Sequence, residues 1–274
     1  MKCTNKKQKK RRNRKRELRI RLTCNALVVL AIILVGFVFI QSKNQIKTFE
    51  KKNYSSSVYC SDLFADNLCI ANKDVDFPDF HTNDEFHGAL LFDIENKEVI
   101  YSERANNQLF PASTTKIMTA YLALKYGDLD EYITISSNAV DVPSDSSTAH
   151  LLKGDVLSLK DLLYALMLPS GNDSAVAIAE HISGSTETFV ELMNEEALKL
   201  GASNTHFMNP HGYQDKEHYT TAYDLYLIFN ECIKNELFLD IISSKSYNTL
   251  IKQADGTTRA VTWPQSNQFI TGGR

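Results

Sequence analysis

Leu22 to Ile40 limits what this chain can become more than any other segment. From Ala26 to Ile40 every residue is apolar or Gly, and only Thr23, Cys24 and Asn25 interrupt the run back to Leu22. A helix of about 20 such residues is long enough to cross a bilayer. Residues 1–21 hold 12 Lys or Arg and one acid, so the remainder carries 18 bases against 32 acids although the whole chain is only −3. A basic cluster before an apolar span keeps the N-terminus in the cytoplasm and sends the downstream chain outward. The expectation is therefore a basic cytoplasmic tail (1–21), a single-pass anchor (22–40) and an exported remainder. A cleaved signal peptide is the rival, but Gly36 to Lys43 offers no Ala-x-Ala-like site. The basic run could meet nucleic acid in isolation; beside a span it marks orientation and meets anionic lipid heads.

Residues 41–83 are polar, with scattered aromatics and no sustained period, and read as a stalk. Cys60 and Cys69 either close a small disulfide loop outside the cell or remain two thiols. Cys232 reads as a helix core residue. From 84 to 274 the pattern changes. Strands are expected at 88–94 and 98–103 around the Asn96-Lys97 turn, then mostly helices to about 235, then strands near 246–252 and 258–263 around Gly256. Such an order fits an α+β fold with helices on an antiparallel sheet.

Ser113-Thr114-Thr115-Lys116 is the only Ser-x-x-Lys in the chain. Residues three apart on a helix share a face, so hydroxyl and amine can meet as nucleophile and base. Pro111-Ala112 precedes it and Ile117 to Lys125 follows with helix formers, placing Ser113 near a helix N-terminus, where developing negative charge is favoured. Lys116 must be neutral to act as a base, which needs desolvation or a neighbouring cation. The plainer alternative is a Ser cap with an exposed Lys one turn on. Ser-x-Asn occurs at Ser136, Ser170 and Ser246, but only Ser170-Gly171-Asn172 follows a helical pattern (Leu157 to Leu168) stopped by Pro169 and precedes a second helix. An interhelical turn with a Ser or Asn cap is the alternative there.

With both motifs placed, the chain resembles the low-molecular-weight penicillin-binding proteins, serine-type D-alanyl-D-alanine carboxypeptidases. The likeness runs in order through Gly88-Ala-Leu-Leu-Phe-Asp-Ile, Phe110-Pro-Ala-Ser-Thr-Thr-Lys, Leu168-Pro-Ser-Gly-Asn-Asp, Leu200 to Gly212 and His218 to Leu225. It implies a β-lactamase/transpeptidase-like domain at 84–274, with an antiparallel sheet flanked by helices and a helical subdomain across the cleft. The early strands would then pair with the closing ones. It also implies roles: Ser113 as nucleophile, Lys116 as its base, Ser170 as proton relay to the departing D-alanine, and Asn172 as holder of the substrate backbone. Stem peptides ending in D-Ala-D-Ala and β-lactams are the implied partners, with membrane lipids at the anchor and no nucleic acid.

The family's third motif, Lys-Thr-Gly, is not in the sequence. Thr271-Gly272 supplies two letters, but Ile270 stands where the lysine belongs, and the motif is expected shortly beyond Arg274; the chain reads as truncated and its sheet as incomplete. Losing one oxyanion donor can cost about a hundred- to a thousandfold in turnover. Two alternatives accompany the carboxypeptidase reading: a serine β-lactamase, which needs an additional deacylating carboxylate, and a catalytically impaired penicillin-binding or scaffold protein. His206, His211 and His218 match no helical metal-ligand spacing, and no metal or cofactor is expected.

Overall fold

The structure is a computed structural model that describes residues 68–71, 73–76 and 88–272. The basic tail, the expected anchor at 22–40 and Cys60 lie outside the described residues. Among the described residues no helix is long and apolar enough to cross a membrane.

Strands β1 (Ala89–Asp93) and β2 (Glu98–Glu103) form an antiparallel hairpin with a bulge between Leu91 and Phe92. Its turn is closed by Asp93, whose carboxylate accepts from Asn96 N–H and Nδ2 at 2.9 and 2.8 Å, with Lys97 in the left-handed region. A 3-10 turn, Ala112–Thr115, leads into α1 (Lys116–Tyr126). Strands β3 (Tyr132–Thr134) and β4 (Val156–Ser158) follow. Next come α2 (Leu159–Met167), α3 (Asn172–Ser183), α4 (Thr186–Lys199), α5 (Ala222–Cys232) and α6 (Glu236–Ser243). The hairpin β5 (Ser246–Lys252)/β6 (Thr258–Pro264) and the short α7 (Gln268–Thr271) close the chain.

The helix starts carry their own signals. Ser158 and Asp161 form a reciprocal capping box on α2, Ser185 caps α4, Thr221 caps α5 and Asn235 caps α6. The expected helix at Leu157–Leu168 begins two residues late because Val156–Ser158 pairs with β3 first. Helix α1 is central, packing on α2, α3, α4 and α5. Met118, Leu122, Leu162, Leu166, Ile178, Phe189, Met193 and Phe207 fill that core, each at most 1% exposed. Removing one such side chain to Ala costs about 2–5 kcal/mol.

The strand pairing differs from the expectation. Among the described residues β1 and β2 form a two-stranded sheet, whereas the closing hairpin joins β4 through Val156 and Lys252 in a four-stranded sheet ordered β3-β4-β5-β6. The hairpin's apolar alternation commits one face to the helices. Tyr247, Ile251, Val261 and Trp263 point inward, and Tyr247 stacks on Tyr164 of α2 at 3.7 Å between centroids. Trp263 Nε1 donates to Ala149 O at 3.0 Å. The hairpin thus turns its buried face to the helices.

Residues 68–71 and 73–76, read as the end of the stalk, pack on the domain. Cys69 and Ala71 are buried, and Val75 exchanges two backbone bonds with Ser102 (2.8 and 3.0 Å).

Candidate active site

The three hydroxyl and amine groups singled out in the sequence converge. Ser113 sits in the 3-10 turn and Lys116 opens α1, so the helical spacing places Lys116 Nζ 3.2 Å from Ser113 Oγ. Ser170, on the turn between α2 and α3, brings its Oγ to 3.0 Å from Ser113 Oγ. Ser113 is exposed, whereas Lys116 is only 2% exposed. That burial pushes the Lys116 amine down from 10.5 to about 8, against the opposing pull of the Asp173 carboxylate. Lys116 also donates to the carbonyl of His211 at 2.9 Å. A neutral amine keeps one lone pair; with a hydrogen committed to His211 O, that pair is free to face the serine hydroxyl.

Strain marks the same place. Ala112 (φ +46°) precedes the serine and Ser170 itself has φ +61°. Non-glycine residues in the left-handed region hold a cost that the surroundings must enforce. For Ser170 the enforcement comes from the flanking backbone: Leu168 N–H bonds Tyr164 O at 3.0 Å, Gly171 N–H bonds Ala165 O at 3.1 Å and Asn172 N–H bonds Ser147 O at 2.9 Å. Asn172 opens α3 and is buried.

Asp173 was not singled out from sequence, where it is one more acid in a helix's first turn. Its buried carboxylate accepts from Ala149 N–H (2.9 and 3.1 Å), Leu151 N–H (3.0 Å) and Ser174 N–H (2.9 Å). It therefore fixes the 147–151 segment against the Ser170 turn. The loop from Met208 to Tyr213 forms another wall. Asn209 Oδ1 accepts from Gly212 N–H at 2.7 Å and Tyr213 N–H at 3.1 Å, while Tyr213 O–H reaches Asp145 Oδ1 at 3.3 Å. Thr119 Oγ1 donates to Pro210 O at 2.5 Å. The sequence signal for this wall is the Asn-Pro-His-Gly run, which reads as a loop but says nothing of the lysine it serves.

The histidines have separate tasks. His206 Nδ1 donates to Glu217 O at 2.7 Å, His211 offers its carbonyl to Lys116, and His218 bonds Thr115 Oγ1 at 2.8 Å. Burial pushes His211 and His218 down to about 4, so both rings are neutral near pH 7. Among the described residues no cluster of His, Cys, Asp and Glu is arranged to hold a metal ion. Cavities of about 260 and 390 Å³ flank the loop, the smaller lined by Phe110, Ala112, Tyr213 and His218, the larger by Asp141, Val176, Glu187 and His211. Neither is lined by Ser113, Lys116 or Ser170, which stand outside both. Thr271 ends α7 and Gly272 caps it in the left-handed region, so the Thr-Gly pair lies at a helix end.

A buried amine beside an exposed serine, with a second hydroxyl in reach, is an acyl-transfer arrangement. The sequence itself matches the family model for D-alanyl-D-alanine carboxypeptidase, Peptidase S11, over residues 81–273. The chain belongs to that family. Among Peptidase S11 relatives, it is 37% identical to the D-alanyl-D-alanine carboxypeptidase DacF of Bacillus subtilis over 157 residues, covering 56% of this chain and 40% of that one. It is 35% identical to a D-alanyl-D-alanine carboxypeptidase of Streptomyces sp. K15 over 183 residues, covering 63% of each. The chain thus spans less than two thirds of either relative. The crystal structure of the Streptomyces K15 DD-transpeptidase superimposes with a TM-score of 0.62 at 35% identity, covering 65% of this chain and 72% of that one. Penicillin-binding protein 6B of Escherichia coli gives 0.57 at 30% identity, over 71% and 62%.

Proposed function

We propose that this protein is a serine-type D-alanyl-D-alanine carboxypeptidase that forms an acyl-enzyme on Ser113 and is acylated by β-lactams at the same atom. The observation that carries this reading is the convergence of Lys116 Nζ and Ser170 Oγ on Ser113 Oγ, at 3.2 and 3.0 Å. Ser113 O–H gives its proton to Lys116 as its oxygen bonds the carbonyl carbon between two D-alanines. The C–N bond then breaks, and the departing amine takes a proton from Lys116 through Ser170. Water adds to the ester and releases the shortened peptide. Asn172, beside Ser170, is the residue assigned to the substrate backbone.

The basic tail at 1–21 and the apolar run at 22–40 support a working place outside the cytoplasmic membrane, with the N-terminus inside and lipid contact at the anchor. The substrate there is the peptidoglycan stem peptide ending in D-Ala-D-Ala. Intact-mass measurement of the full chain after exposure to benzylpenicillin tests the reading. One adduct on wild type and none on Ser113→Ala is the expected result; an adduct that survives Ser113→Ala, or none on folded wild type, overturns it.

A further inference from the structure

We infer that His218 is a positioning residue for the Lys116–Ser113 pair, one ring tying the serine turn to the loop that presents the His211 carbonyl to the lysine. The inference builds on the acyl-transfer reading above and adds a residue that touches neither reacting atom.

The ring's tautomer is set by its partners. Met208 N–H can only donate, and it points at His218 Nδ1 from 3.2 Å. A neutral imidazole with Nδ1 accepting carries its hydrogen on Nε2, which therefore donates to Thr115 Oγ1 at 2.8 Å. Thr115 is fully buried and lies directly between Ser113 and Lys116 in the chain. Met208 lies three residues before His211, whose carbonyl accepts from Lys116. One ring thus grips both parts of the site.

The grip is itself anchored. His218 is 2% exposed and meets Phe207 edge-on at 5.7 Å. Its neighbours Tyr219 and Thr220 are bonded to His206 and Leu109 through paired backbone bonds. Asp215 and His206 are the charged or titratable groups acting on the ring, and His211 feels it in turn. Around Lys116 the corresponding groups are Asp173 and His211. The other links between α1 and the loop are Thr119 Oγ1 to Pro210 O and Lys116 Nζ to His211 O; of these, the lysine link is the one catalysis uses. If the His218 link is cut, the loop can draw back and water can reach Lys116. The amine then titrates closer to its free value and the serine loses its base at neutral pH.

The test uses the full chain with His218→Asn, which keeps an acceptor near Met208 but cannot reach Thr115, together with Thr115→Val and Thr115→Ser. Three quantities are measured: β-lactam acylation rate, thermal midpoint and the titration of Lys116 followed by NMR of ¹³C-labelled lysines. His218→Asn and Thr115→Val should each slow acylation on the order of ten- to a hundredfold. The double variant should be no slower than the worse single, because both cut one link. Thr115→Ser should keep the wild-type rate, and the Lys116 midpoint should climb from about 8 toward 10.5 in the two slow variants. A lower thermal midpoint with unchanged acylation and unchanged Lys116 titration would reduce His218 to a packing residue and sink the inference. Should wild type itself resist acylation, the acyl-transfer reading fails, while the lysine titration still decides the role of His218. Should His218→Asn not fold, Thr115→Val decides it through the same lysine midpoint.

Discussion

Gly212 lies so close to the carbonyl of Ala112 that a Cβ at position 212 would stand 1.7 Å from its oxygen and 2.9 Å from Thr115 Oγ1. The loop after α4 is thus in backbone contact with the turn that carries Ser113. Gly212 also has φ +85°, a conformation L side chains rarely adopt. Two independent requirements, space and dihedral, exclude every other residue from this position.

Gly212→Ala is therefore expected to cost more than the dihedral alone, and Gly184→Ala is its control. Gly184 caps α3 at φ +80° with nothing within 4 Å, so alanine there should cost only the left-handed penalty, about 1–2 kcal/mol by denaturant unfolding. Gly212→Ala should exceed that and also slow acylation on the order of a hundredfold, since Ala112 must move. Equal stability losses in the two variants would mean that the close approach is not maintained in solution.

Lys116 sets the pH dependence. Its folded midpoint, about 8, is depressed from 10.5. Acylation should rise as pH climbs through about 8 and level off above, and Lys116→Arg, which stays charged, should abolish it and, with a permanent charge in a buried site, also lower stability. The linkage sign is definite: between about 8 and 10.5 the unfolded chain holds the proton and the folded one does not, so stability grows with pH across that window. Lys116→Met removes the titrating group, so the rise in stability between about 8 and 10.5 should vanish in that variant, while the His211 carbonyl loses its donor. His211 and His218 act at the acid side. Their folded midpoints of about 4 lie below 6.5, so the unfolded chain takes up protons first and stability falls as pH drops from 6.5 toward 4. Denaturant melts from pH 4 to 11 would test all three groups.

The features legible in the sequence are those that depend on local geometry. The Ser113–Lys116 pair comes from helical spacing and the Ser170 turn from Pro169 and Gly171. Cys232 is buried in α5. Strand limits at 98–103 and 246–252 coincide with the observed ones. The features that escaped are non-local. The bonds from Asn204 N–H and Thr205 Oγ1 to Asp224, which tie α5 to the preceding loop, span 20 and 19 residues and have no local signal. No period reveals that β5 pairs with β4 and not with the first hairpin, that Asp173 accepts from backbone groups more than 20 residues back, or that the ring of His218 reaches Thr115.

Asp173→Asn probes one of those non-local ties. Both carboxylate oxygens face backbone N–H groups: Oδ1 takes Ala149 and Ser174, and Oδ2 takes Leu151 and Ala149. Whichever oxygen becomes an amide NH₂, a buried donor meets a donor. A loss of about 1–3 kcal/mol is expected in unfolding experiments. Removing the carboxylate also removes the charge that opposes burial at Lys116, so the acylation pH limb should move to more acid values. A limb displaced the other way would show that loosening of the 147–151 segment, and not charge, governs the lysine.

The segment before β1 supplies the last prediction. Cys69 N–H donates to Tyr226 Oη at 2.9 Å, its thiol donates to Asp93 O at 3.6 Å, and Tyr223 O–H donates to Cys69 O at 3.2 Å. Asp74 Oδ1 accepts from Arg104 N–H at 2.8 Å, and Val75 N–H bonds Ser102 O at 2.8 Å. These bonds strap residues 68–71 and 73–76 to the first hairpin and α5, and with Cys69 only 1% exposed its thiol should resist modification in the folded chain. In a variant whose single cysteine is Cys69, a thiol reagent should react far more slowly under native than under denaturing conditions. Val75→Pro removes one strap donor and should cost about 1–3 kcal/mol while speeding the native reaction. Native labelling as fast as denatured labelling would show that the strap is undocked in solution.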